Sequence, residues 1–174
     1  MLIVESDAPL ILTLALDERS SAFFESQRKR HFPAHRNFIP AHLTLFHRLP
    51  ADHTGSISRD LADLVENQAP FSLDVTGLRS LGRGVAYQLT STELDGLRGY
   101  LAHRWAAWLQ PQDRQRHRPH ITIQNKVDPD TAKDLLAHLS ADFQPFTATA
   151  TGLNLWKYLG GPWDRLRQFP FSAR

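Results

Sequence analysis

With 174 residues, 41% of them hydrophobic, the chain has enough apolar surface for one globular domain with a sizeable core. Its 20 Lys and Arg stand against 18 Asp and Glu, a formal charge of +2, which excludes a protein that coats nucleic acid by bulk charge but allows a local basic site. It has no cysteine, which excludes disulfides, thiol nucleophiles and cysteine-ligated metals.

Residues 1–7 carry Glu5 and Asp7 where a secretory leader needs a basic start, and no apolar run approaches the ~20 residues of a membrane span. The expectation is a soluble cytoplasmic protein. Residues 9–16 are a nearly unbroken apolar run, short enough for a buried strand. Asp17 is placed to cap a helix that starts at Glu18 and runs to about Arg30. There Arg28, Lys29 and Arg30 suit the helix dipole, and Pro33 stops it. His31 and His35 stand four apart, but the proline between them argues against a helical metal pair. Residues 37–40 lead into an alternating stretch, His42-Leu43-Thr44-Leu45, predicted as a strand that ends near Leu49 and Pro50.

Ile57, Leu61, Leu64 and Val65 repeat at helical spacing and predict a helix facing the core, closed by Pro70. Phe71, Leu73 and Val75 alternate with Ser72, Asp74 and Thr76 as a strand; Gly82-Arg83-Gly84 is a turn, and residues 85–89 are a further strand. Thr92 and Asp95 have the spacing of a capping box ahead of Leu94, Leu97, Leu101, Trp105 and Trp108. The tryptophans of this helix read as core, and Pro111 is expected to end it. Residues 112–118 form a basic loop directly before a second alternating stretch, His120-Ile121-Thr122-Ile123. Asp128 and Pro129 open a helix whose buried stripe is Ala132, Leu135, Leu136 and Leu139. Residues 146–152 and 153–158 read as two closing strands, followed by a turn at 160–163 and a short tail. The order predicts an α+β fold with an approximate internal duplication.

The two His-x-Thr stretches are copies of one pattern, one in each half of the chain. In a half-buried strand Leu43 and Leu45, or Ile121 and Ile123, face the core, while His and Thr share the other face. Residues two apart on a strand lie ~6.5–7 Å apart, so the imidazole and hydroxyl of one motif can reach one small oxyanion. One such strand would carry little meaning; two suggest a phosphodiester site. Hydrolysis there needs a base to take a proton from water and an acid to give one to the leaving oxygen, in line across phosphorus. Histidine suits both roles because its pKa lies near neutrality. Threonine hydroxyls can hold the non-bridging oxygens, and no metal or other cofactor is required. The candidate catalytic residues are therefore His42 and His120, and the candidate phosphate-binding residues are Thr44 and Thr122. Phe46, Trp156, Tyr158 and Trp163 are candidate base stackers. Arg116 and Arg118 are candidate phosphate contacts at the mouth of the site.

These motifs resemble the two-histidine (2H) phosphoesterase superfamily, which includes the RNA 2′,3′-cyclic phosphodiesterases also called 2′-5′ RNA ligases. Residues 155–163 also resemble a bacterial 2′-5′ RNA ligase-like subgroup. The resemblance spans nearly the whole chain. It implies a single bilobal domain over residues 1–174, with two antiparallel sheets flanking a central groove, a pseudo-two-fold duplication and helices on the outside. It also implies catalysis by the two histidines and phosphate binding by the two threonines, with His120 as base for water and His42 as acid. There are two departures: Gln124-Asn125-Lys126 stands where an Arg-rich segment is expected, and Phe46-His47-Arg48 where a small Gly-containing turn is expected. Both bear on RNA preference rather than on the chemistry. The expected function is a metal-independent cyclic phosphodiesterase acting on 2′,3′-cyclic phosphate ends of RNA or nucleotides, with weak 2′-5′ ligase activity as related chemistry in reverse. Its expected partners are RNA or nucleotides with a cyclic phosphate or 2′-5′ linkage, with no membrane and no obligate protein partner, and the chain is expected to be a monomer. The rival is a non-catalytic RNA- or nucleotide-binding module on the same fold. A metallohydrolase has less support, since there is no His-Glu-x-x-His and no cysteine.

Overall fold

A computed structural model describes residues 7–174, so the leader reading of the first residues falls largely outside what it describes. The apolar run forms β1 (Leu10–Leu16), followed by α1 (Glu18–His31) and the first motif strand, β2 (Leu43–Leu49). Next come α2 (Thr54–Glu66), the hairpin of β3 (Phe71–Ser80) and β4 (Val85–Thr90), α3 (Thr92–Arg104) and the short α4 (Pro111–Arg114). The second motif strand is β5 (His120–Gln124), and α5 (Pro129–Ala141), β6 (Phe146–Tyr158) and β7 (Trp163–Pro170) complete the chain.

All strands are antiparallel and join in one array, β2-β1-β6-β3-β4-β5, with β7 added to β6. The two expected sheets are the two halves of this array, and they share β6. Its residues 146–150 pair with β3, whereas 150–157 pair with β1 and 152–158 with β7. Gly152 lies just past this crossover. A Cβ there would stand 2.6 Å from the Phe169 carbonyl oxygen, so glycine is what lets β7 close on β6. One half is thus β2-β1-β6-β7 and the other β6-β3-β4-β5, with a motif strand ending each. The array curves until those two ends, β2 and β5, lie side by side. Leu12, Leu43, Leu45, Leu61, Leu73, Ile123 and Leu155 are fully buried in the core, each burial worth about 2 kcal/mol.

Four local expectations are corrected. The two closing strands are one, because pairing with β1 runs from Lys157 through Gly152 to Ala150, although the buried alternation changes phase at Gly152 and Leu153. The tail after Trp163 is β7, whose charges at Asp164, Arg165 and Arg167 disguise a strand exposed along most of its length. The cap of α3 is Ser91, whose Oγ accepts from Leu94 N at 3.2 Å; Thr92 is the first helical residue. Pro111 opens α4 instead of closing α3, which stops at Arg104. Elsewhere the helix starts fall where expected, although Asp128 at the start of α5 makes no side-chain capping bond. Asp17 accepts from Ser20 N at 3.0 Å, and its second oxygen accepts from Thr149 N at 2.8 Å, fastening the start of α1 to β6. Among the described residues, no helix is long and apolar enough to cross a membrane.

Candidate active site

Leu43, Leu45, Ile121 and Ile123 are buried, which turns His42, Thr44, His120 and Thr122 to the opposite face, where all four are half-buried. The two imidazoles are held in the same way. His42 Nδ1–H donates to the Pro40 carbonyl at 2.8 Å, and His120 Nδ1–H donates to the Arg118 carbonyl at 2.8 Å. A carbonyl can only accept, so the proton sits on Nδ1 and each neutral ring keeps Nε2 as its free base. In both motifs the anchor is the carbonyl two residues upstream.

Burial lowers the pKa of both rings. For His42 it outweighs the Pro40 carbonyl; the charges of Arg28, His120 and His47 add to it, and the value falls to about 4. For His120 burial outweighs the Arg118 carbonyl, with Arg79, His47 and Arg118 adding. Arg79 Nη1 lies 3.4 Å from His120 Nδ1. Both atoms are donors, so Arg79 acts here as a neighbouring charge. The influence of His120 on His42 follows from the meeting of β2 and β5.

Buried cations fasten that meeting, and sequence reasoning missed them. Arg28 of α1 donates to the Thr122 carbonyl at 3.0 Å and to Asn37 Oδ1 at 2.9 Å. Arg98 of α3 donates to the Leu45 carbonyl at 2.9 Å and the Asp113 carbonyl at 2.7 Å. Each guanidinium also covers a phenyl ring, Phe32 at 4.1 Å and Phe46 at 4.0 Å. His117 Nε2–H donates to the Thr44 carbonyl at 2.9 Å. The available signal was position: Arg28 follows buried Phe24 by four, and Arg98 follows buried Leu94 by four, both on the inward stripe of a helix.

The remaining candidates divide. Phe46 is fully buried against Trp105, with ring centroids 5.2 Å apart, and cannot stack a base. The cause is a bulge: Thr13 pairs with Thr44 and Leu12 with Phe46, so Leu45 is the extra residue and Phe46 turns inward with it. Trp163 stands 4.6 Å from the His42 ring and 5.9 Å from Trp156, whose Nε1 donates to Thr13 Oγ1 at 2.9 Å. With His42, Asn154 and Gln168 these tryptophans line a cavity of about 680 Å³. Tyr158 pairs with Trp163 in the β6–β7 register but is not part of that lining. Arg116 and Arg118 are exposed on a second cavity, about 810 Å³, which Arg79 and His117 also line. The basic loop begins as α4 and is anchored by Asp113, buried to 1% exposure. Among the described residues, no three His, Asp or Glu side chains gather as a metal-binding group.

The model of the 2′-5′ RNA ligase superfamily matches residues 16–162. The chain belongs to the 2′-5′ RNA ligase superfamily. No curated protein matches its sequence. Solved structures that share the superfamily's bilobal fold with it include TT0787 of Thermus thermophilus, with a TM-score of 0.66 and 16% identity over 95% of this chain and 99% of that one. E. coli LigT complexed with 3′-AMP gives 0.64 and 17% identity, covering 96% of this chain and 99% of LigT. A structure described as a phosphoesterase gives 0.63 and 19% with the same coverage. At these identities the likeness establishes the fold, over nearly the full length of both chains. Membership in the superfamily supports a phosphoesterase-type activity.

Proposed function

We propose that this superfamily member is a metal-independent cyclic phosphodiesterase that opens 2′,3′-cyclic phosphate ends of RNA or nucleotides to a phosphomonoester. The observation that carries the reading is the matched anchoring of His42 and His120, which leaves Nε2 of each imidazole free on adjoining strands. One Nε2 takes a proton from water as the water oxygen bonds to phosphorus. The bond from phosphorus to the 2′ or 3′ oxygen breaks, and that oxygen takes the proton held on Nε2 of the other ring. Thr44 and Thr122 donate to the non-bridging oxygens as their charge builds. A ribose hydroxyl attacking in place of water would give the 2′-5′ linkage, the route to weak ligase activity.

The resemblance makes His120 the base and His42 the acid. With a pKa of about 4, His42 is protonated in only about one molecule in a thousand at pH 7. The acid therefore gains its proton together with the substrate, whose anionic phosphate raises the pKa of any imidazole beside it. Trp163 and Trp156, flanking His42, provide a stacking wall for the nucleobase. That LigT, of the same fold, is solved in complex with 3′-AMP supports a nucleotide as the ligand. The same reading takes residues 1–174 as one bilobal domain, working as a monomer in the cytoplasm.

The test is a panel of 2′,3′-cyclic mononucleotides, cyclic-ended RNA and 2′-5′ dinucleotides, assayed with and without EDTA and with product regiochemistry read out. Turnover that survives chelation is expected. Activity lost to EDTA and restored by zinc or manganese would make the protein a metallohydrolase, and binding without turnover would make it a binding module.

A further inference from the structure

The cavity beside His120 holds more positive charge than one cyclic phosphate needs. Arg79, Arg98, Arg116 and Arg118 line it against a single carboxylate, Asp95. The ion pairs among the described residues are His47–Asp113 and Arg104–Asp60, so none of the four arginines has a carboxylate partner. Arg98 is committed to two backbone carbonyls, whereas Arg116 and Arg118 are exposed and Arg79 lies 3.4 Å from the His120 ring. Arg79 also senses the charge of Arg118, a repulsion that an anion between them would relieve.

We propose that this cavity is a second phosphate subsite, which takes the phosphate on the 5′ oxygen of the nucleotide whose cyclic phosphate is opened. The inference rests on the phosphodiesterase reading for the position of the cyclic phosphate. In such a substrate the 2′ and 3′ oxygens are both occupied, so any other phosphate on the ribose is on O5′. It is there as a 5′-phosphate or as the diester that joins the preceding nucleotide. The substrate class is therefore 5′-phosphorylated nucleotides and RNA ends, with bare nucleoside 2′,3′-cyclic phosphates as poor substrates. Planar guanidiniums suit this anion because they bind phosphate oxygens in pairs.

The experiment is calorimetric binding of adenosine 3′-monophosphate and adenosine 3′,5′-bisphosphate, repeated with the 2′ and 2′,5′ pair. The bisphosphates should bind at least about tenfold more tightly than the monophosphates at low salt, with a gap that narrows as salt rises. Arg116→Gln combined with Arg118→Gln should bring each pair within about threefold. Equal affinities in the wild-type protein would overturn the proposal without any variant, and so would a gap that the double variant leaves intact. A bisphosphate preference in a protein that turns over no cyclic phosphate would uphold the subsite and sink the phosphodiesterase reading. Turnover of cyclic phosphates with no preference would do the reverse.

Discussion

Asp113→Ala tests the clamp that holds the first motif strand. The Asp113 carboxylate accepts from His47 N at 2.8 and 3.0 Å, from Arg48 N at 2.9 Å and from His47 Nδ1 at 3.1 Å. Alanine would leave both amides without an acceptor beside a buried site, at about 1–3 kcal/mol for each. The expected total is about 2–6 kcal/mol, which for a chain of this size lowers Tm by roughly 4–24 °C. Asp113→Asn keeps one acceptor oxygen and should lose about half as much. Urea unfolding measures the loss, and its pH dependence supplies a second check. Burial alone would raise the Asp113 pKa, but the bonds from the His47 ring and from the His47 and Arg48 amides prevail and hold it below the ordinary carboxylate value. A depressed carboxylate stabilises above its unfolded pKa of about 3.9, and that contribution disappears as pH falls through the folded value. The gap between wild type and Asp113→Ala should therefore be widest at pH 7 and narrow as pH falls through the folded value. A loss below about 0.5 kcal/mol at pH 7 would refute the reasoning, since changes that small are typical of surface positions.

His42→Ala and His120→Ala should each lower kcat on a 2′,3′-cyclic nucleotide by ~10²–10⁴-fold, and Thr44→Ala or Thr122→Ala by roughly 10–10³-fold. A histidine variant with near-wild-type turnover would lose its catalytic assignment. Because both histidines have lowered pKa values in the free protein, the bell of kcat/KM should centre below pH ~6.5, and the bell of kcat should lie above it once bound phosphate raises both. Coincident profiles would mean that the substrate does not change the titration. On a diester with an activated phenolic leaving group, the variant lacking the acid should recover most of its rate while the variant lacking the base should not. Recovery by His120→Ala instead of His42→Ala would reverse the assigned roles.

The sequence is informative where burial is one-sided and local. β1, α2, β3 and β4 were legible because their apolar pattern is unmixed, α1 through its Asp17 cap and the Pro33 stop, and the start of α5 because Asp128 before a prolyl helix start has few other readings. Both motif strands showed themselves by alternation, although alternation could not reveal the bulge that removes Phe46 from the groove. Edge strand β7 and continuous β6 were hidden for opposite reasons, one because exposed charges mask its period and the other because Gly152 suggests a break that is in fact a close approach of strands.

The site shows the same division between local and non-local information. The identity of its histidines and threonines is local and could be read; what aims them is not. Their shared anchor is a carbonyl two residues back, whose availability depends on how the chain enters each strand. Where the strands meet, Arg28, Arg98, His117 and Asp113 spend charge or polar groups on backbone atoms up to 94 residues away. Buried charges of this kind contribute little net stability compared with an apolar replacement, and removing one partner leaves the other uncompensated. Their value here is positional: each carbonyl held by a guanidinium fixes the height of one motif strand relative to the other. Arginine on an inward helix stripe, usually set aside as a long side chain reaching for solvent, is accordingly the sequence feature that points to how the two halves are locked together.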